Sequence, residues 1–60
     1  MIKVVFIPPN EIQYKSVEYY VRTDNYKIAE SSAKRRLIGD GIDPWIFEFI
    51  VMANINVINP

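Results

Sequence analysis

The sequence contains no cysteine and no histidine. Disulfides are therefore excluded, and a zinc or other transition-metal site would lack its usual ligands. There are only two glycines, Gly39 and Gly41, so no glycine-rich loop is available to cradle a phosphate. An excess of either charge is missing too: seven basic residues stand against seven acidic ones, for a formal net charge of zero. No overall field then steers the chain toward nucleic acid or an anionic membrane, and none makes it an acidic mimic of DNA. The opening MIKVVFIPP lacks the length and cleavage pattern of a signal peptide. A cytoplasmic chain starting at Met1 is expected.

What is present is a folding composition. Half of the 60 residues are hydrophobic and 13% are aromatic, which suits one small domain over 1–60. A chain this short buries only roughly 60% of its unfolded surface, so its core is marginal. Without disulfide or metal staples, close packing or a partner subunit must supply the difference.

Residues 2–7, IKVVFI, are β-branched and aromatic and stop at Pro8-Pro9-Asn10, a strand followed by a turn. Residues 12–23, IQYKSVEYYVRT, alternate with period two. Val17, Tyr19 and Val21 share one face; Tyr14, Ser16, Glu18, Tyr20 and Arg22 share the other. A connection of about five residues would join the two runs as an antiparallel hairpin. The period then changes: Tyr26, Ala29, Ala33 and Leu37 fall on one side of a helix. Thr23 or Asp24 is placed to cap its start and Gly39 to stop it, with Lys34, Arg35 and Arg36 in the closing turns. Glu30 precedes Lys34 by four positions, the favourable spacing for a helical ion pair.

Most of the hydrophobic character lies in 43–60, DPWIFEFIVMANINVINP. A membrane helix needs about 20 apolar residues free of charge, and this run is shorter and holds Glu48, Asn54 and Asn56. It alternates instead, as a strand entered at Pro44. Odd positions from Trp45 through Phe47, Phe49, Val51, Ala53 and Ile55 to Val57 form an unbroken apolar face, while the even positions are mixed.

The expected fold is α+β: a single ββαβ domain with a three-stranded antiparallel sheet of order 2-1-3 and one helix on one face. That is half of a ferredoxin-like arrangement. The odd face of the third strand should be the covered one. The open face would then show Ile46, Ile50, Met52 and Ile58 near Tyr14 and Tyr20, and a third strand longer than the first would leave part of its edge free. These six residues are the expected interface, with a second copy in a homodimer or with another protein.

The carboxylates Glu11, Glu18, Asp24, Glu30, Asp40, Asp43 and Glu48 are not spaced so as to force two into one pocket, as acid–base catalysis requires. Glu48 among isoleucines is expected to pair with a cation or sit at a rim. Asp40-Gly-Ile-Asp43 lacks the alternating ligands and distal Glu of a calcium loop and reads as a turn. Ser31 and Ser32 near Lys34 read as solvated helix surface. No enzyme activity, cofactor or metal is expected. The expected function is a small protein-interaction module; proteins of this size and kind are common among phage and mobile-element accessory genes. The alternative is nucleic-acid binding through Lys34, Arg35 and Arg36, with Arg22, Tyr14 and Tyr20 adding phosphate and stacking contacts. The glycine pattern of RNA-recognition modules is missing from the FEFIV strand.

Overall fold

The computed structural model describes residues 1–11 and 13–55. Its elements are β1 (Ile2–Ile7), β2 (Val17–Val21), α1 (Tyr26–Gly39), a 3-10 turn (Pro44–Ile46) and β3 (Phe49–Asn54). The strands form one antiparallel sheet in the order β2-β1-β3, with α1 on one face, which is the α+β ββαβ arrangement expected.

β1 sets the two faces of the sheet. Ile2, Val4 and Phe6 are fully or almost fully buried beneath α1, while Lys3, Val5 and Ile7 alternate to the other side. Pro8 and Pro9 supply no N–H, so the ladder ends there. Phe6 pairs with Val17, and β2 keeps only the second half of the expected 12–23 strand. The β1–β2 connection runs over 8–16, longer than a tight hairpin turn. Val17, Tyr19 and Val21 face the helix, as their alternation implies.

α1 lays Ala29, Ala33 and Leu37 on the sheet, and all three are buried. Tyr26, the fourth member of the expected stripe, is exposed. The cap lies one or two residues beyond the expected Thr23 or Asp24. Asn25 Oδ1 accepts from the amides of Lys27 and Ile28 at 3.0 and 3.2 Å, and Thr23 Oγ1 accepts from Asn25 N–H. The helix also takes in Gly39 as its last residue and is capped by Asp40, so the left-handed stop lies at Gly41. Gly41 takes φ 82°, its N–H donates to the Ile38 carbonyl, and the Ile42 N–H donates to Leu37. This is a Schellman closure, and Ile42 packs back onto the core that holds Leu37.

The third strand differs most from expectation. Asp43 accepts from the Trp45 amide at 3.0 Å and Pro44 opens a 3-10 turn, so the chain does not become extended at Trp45. β3 begins only at Phe49 and pairs residue for residue with β1, from Ile7↔Phe49 to Ile2↔Asn54, leaving no overhang among the described residues. Cross-strand partners share a face. Phe6↔Ile50 and Val4↔Met52 therefore put the even residues under the helix, and Phe49, Val51 and Ala53 on the open face. The expected parity is reversed. The unbroken odd face depended on Trp45 and Phe47, which precede the strand. Within FIVMAN itself hydrophobicity does not single out a face, and pairing with Phe6 and Val4 puts Ile50 and Met52 on the core side.

Candidate protein-interaction surface

α1 packs chiefly on β1 and β2. β3 therefore lies at a margin of the helix, and a groove of about 410 Å³ opens between them. Its walls are Ile38 and Lys34 from α1, Pro44 and Trp45 from the 3-10 turn, Phe47 and Glu48 from the approach to β3, and Ile50 from β3 itself. Trp45 is 91% exposed at its lip and Ile38 60%. The floor is firmer: Phe47 meets Phe6 at 5.6 Å between ring centroids, and Tyr14 packs edge-on against Phe47 at 5.9 Å.

The face opposite α1 has two halves. Over β1 and β2, Lys3 Nζ lies 2.9 Å from Glu18 Oε2, with Tyr20 beside them. The hydrogen bond to Glu18, and then its charge, raise the Lys3 pKa above 10.5. Over β3, Phe49 and Val51 are 57% and 49% exposed and carry no charge.

The two edges of the sheet also differ. Ile55 N–H donates to the Met1 carbonyl, so by ladder alternation the odd residues of β3 turn their amides to β1 and Ile50, Met52 and Asn54 turn theirs outward. Among the described residues no side chain bonds to the outward groups of Ile50 or Met52. On β2 the outward carbonyl of Tyr20 is taken: Arg36 Nη1 donates to it at 2.7 Å. The same end of α1 is tied down by Tyr19, whose hydroxyl donates to Asp40.

The expected interface residues are accordingly dispersed. Tyr20 lies on the open face as expected. Ile50 and Met52 do not; they pack toward the helix-side core, Ile50 also lining the groove. Ile46 belongs to the 3-10 turn and Tyr14 to the Phe47 cluster. Ile58 lies outside the described residues. The basic cluster is split. Lys34 sits 3.6 Å from Glu30, Arg36 reaches to β2, Arg35 points to a shallow depression with Lys27 and Ser31, and Arg22 is exposed just past β2. Trp45, Phe49 and Val51 were missed as surface residues. Lys3 was the available signal: it marks the odd face of β1 as open, and Asp43-Pro44 marks a helical turn instead of a strand start.

Among the described residues no three acidic side chains converge as a metal site would need, and no helix is long and apolar enough to cross a membrane. Comparison of the chain with protein-family models, with curated proteins and with solved structures finds no match.

Proposed function

We propose that the chain is a small, non-enzymatic protein-interaction module that works as a homodimer, with β3 and its surroundings as the binding surface. The observation that carries this reading is the pair of exposed apolar residues Phe49 and Val51 on an edge strand without charge, with exposed Trp45 on the turn that leads into it. Water-exposed apolar side chains on a strand whose outward backbone groups have no partner among the described residues favour association with another polypeptide. The small core supports the same reading, since a second subunit adds burial that one chain of this size lacks. The nucleic-acid alternative draws less support, because Lys34 and Arg36 make intramolecular bonds on different sides of α1 and Tyr14 and Tyr20 do not share a face.

The test is sedimentation equilibrium over a concentration series, repeated with a labelled single-stranded oligonucleotide. Mass approaching twice the 7.0 kDa of one chain, without co-sedimenting oligonucleotide, supports the proposal. Oligonucleotide binding that weakens steeply with salt would favour the alternative.

A further inference from the structure

We infer that two copies join through their β3 edges, antiparallel across a twofold axis centred on Val51, so that two three-stranded sheets merge into one. This rests on the homodimer reading above and specifies how the dimer is built.

The outward amides of Ile50 and Met52 select an extended strand as their partner, because only a strand offers donors and acceptors in matching alternation. A second copy always carries such a strand. The β2 edge is a poorer acceptor, since Arg36 occupies its Tyr20 carbonyl and Glu18 would bring a charge into the pairing. Between positions 49 and 54, FIVMAN holds no charge and no proline, so self-pairing brings no like charges together and loses no donor.

Register follows from which amides face outward. Even residues must pair with even residues, which admits a centre at Ile50, Val51 or Met52, and an Ile50 centre would set the Glu48 carboxylate against Met52. A Met52 centre would set Ile50 against Asn54. A Val51 centre sets Ile50 against Met52 of the second copy on the helix side. On the open side it sets bulky Phe49 against small Ala53, and Val51 against itself. Glu48 then meets the Asn54 amide instead of another carboxylate. The Val51 register is the self-complementary one: apolar meets apolar and large meets small.

The discriminating probe is backbone chemistry. A synthetic chain N-methylated at Met52 keeps every side chain and removes one outward N–H, which the intramolecular β1–β3 ladder does not use. Two hydrogen bonds per dimer are lost and two methyl groups intrude. The dimer dissociation constant should rise by about a hundredfold or more, with the far-ultraviolet circular dichroism unchanged. As a second readout, Val51→Cys and Ala53→Cys are oxidised separately in the otherwise cysteine-free chain. Val51→Cys should cross-link much faster, because a non-hydrogen-bonded pair holds its Cα atoms about 4.5 Å apart, within disulfide reach. An N-methylated chain that dimerises as tightly as the parent overturns edge pairing and leaves the homodimer standing with its faces joined. Equal or slower cross-linking at position 51 overturns the register, and decides the matter if the methylated chain does not fold. A parent chain that stays monomeric throughout the concentration series overturns the homodimer itself.

Discussion

The Tyr19 hydroxyl donates a 2.7 Å hydrogen bond to Asp40 Oδ2, joining the centre of β2 to the residue that closes α1. With Arg36 bonded to the Tyr20 carbonyl, the end of the helix is held to β2 by two successive residues of that strand. Tyr19→Phe keeps the ring edge against Phe6 and deletes the bond. A loss of about 1 kcal/mol is expected, read in urea as a lower midpoint at unchanged slope.

The same hydroxyl gives a pH signature. Burial, and then the bond to Asp40, push the Tyr19 pKa from 10.0 up to about 12. The folded state therefore holds a proton that the unfolded chain gives up first. This stabilisation is complete below pH 10.0 and is lost as pH climbs toward about 12. Lys3, also raised, adds to the alkaline loss in both the parent and Tyr19→Phe. The difference between their urea midpoints should accordingly shrink between pH 10.0 and about pH 12, the interval between the unfolded and folded values. A constant difference would contradict the assignment.

Two glycines close in sequence should respond with opposite signs. Gly41 adopts φ +82°, so Gly41→Ala forces a left-handed backbone and should destabilise by about 1 kcal/mol. Gly39 is helical and a Cβ there would meet nothing within 4 Å, so Gly39→Ala should stabilise by about 0.5 kcal/mol. Thermal melts of both variants, expected to move in opposite directions by a few degrees, test the Schellman closure directly.

At the other end of the helix, Asn25→Ala removes the acceptor for two amides and should cost about 1 kcal/mol. Asp24→Ala, at a side chain 88% exposed and 3.8 Å from the terminal amine, should stay within about 0.5 kcal/mol of the parent. Comparable losses at both positions would place the cap elsewhere.

The parity of β3 is open to the same treatment. Met52→Ala strips a side chain packed on the core and should cost about 2 kcal/mol. Val51→Thr changes a half-exposed open-face position and should alter monomer stability by no more than about 0.5 kcal/mol. The reverse ranking in urea titrations, taken at concentrations where the mass is that of one chain, would restore the opposite face.

Much of this architecture was legible beforehand because it follows from local periodicity. The alternation of β1, the shift to Ala29, Ala33 and Leu37, and the Glu30–Lys34 spacing each depend on a few neighbouring residues. The binding surface was harder, because it depends on where β3 starts. Residues 45–48 are apolar enough to extend the strand pattern, yet the Asp43 carboxylate and the ring of Pro44 turn the chain first. Moving the start to Phe49 shortens the pattern until hydrophobicity no longer separates its faces. The register with β1 then decides, and register is a long-range property that periodicity along one segment does not encode.

The Arg36 guanidinium on the Tyr20 carbonyl has a meaning best put in the language of polymer chemistry. A sheet with two reactive edges is a bifunctional monomer, and bifunctional monomers grow into chains without a natural stopping point. Arg36 blocks one outward acceptor of the second edge and so lowers its reactivity; under the inferred β3 pairing, growth would then stop at the pair. Under the inferred pairing, one arginine on the second edge biases the molecule toward a finite assembly and away from a fibre.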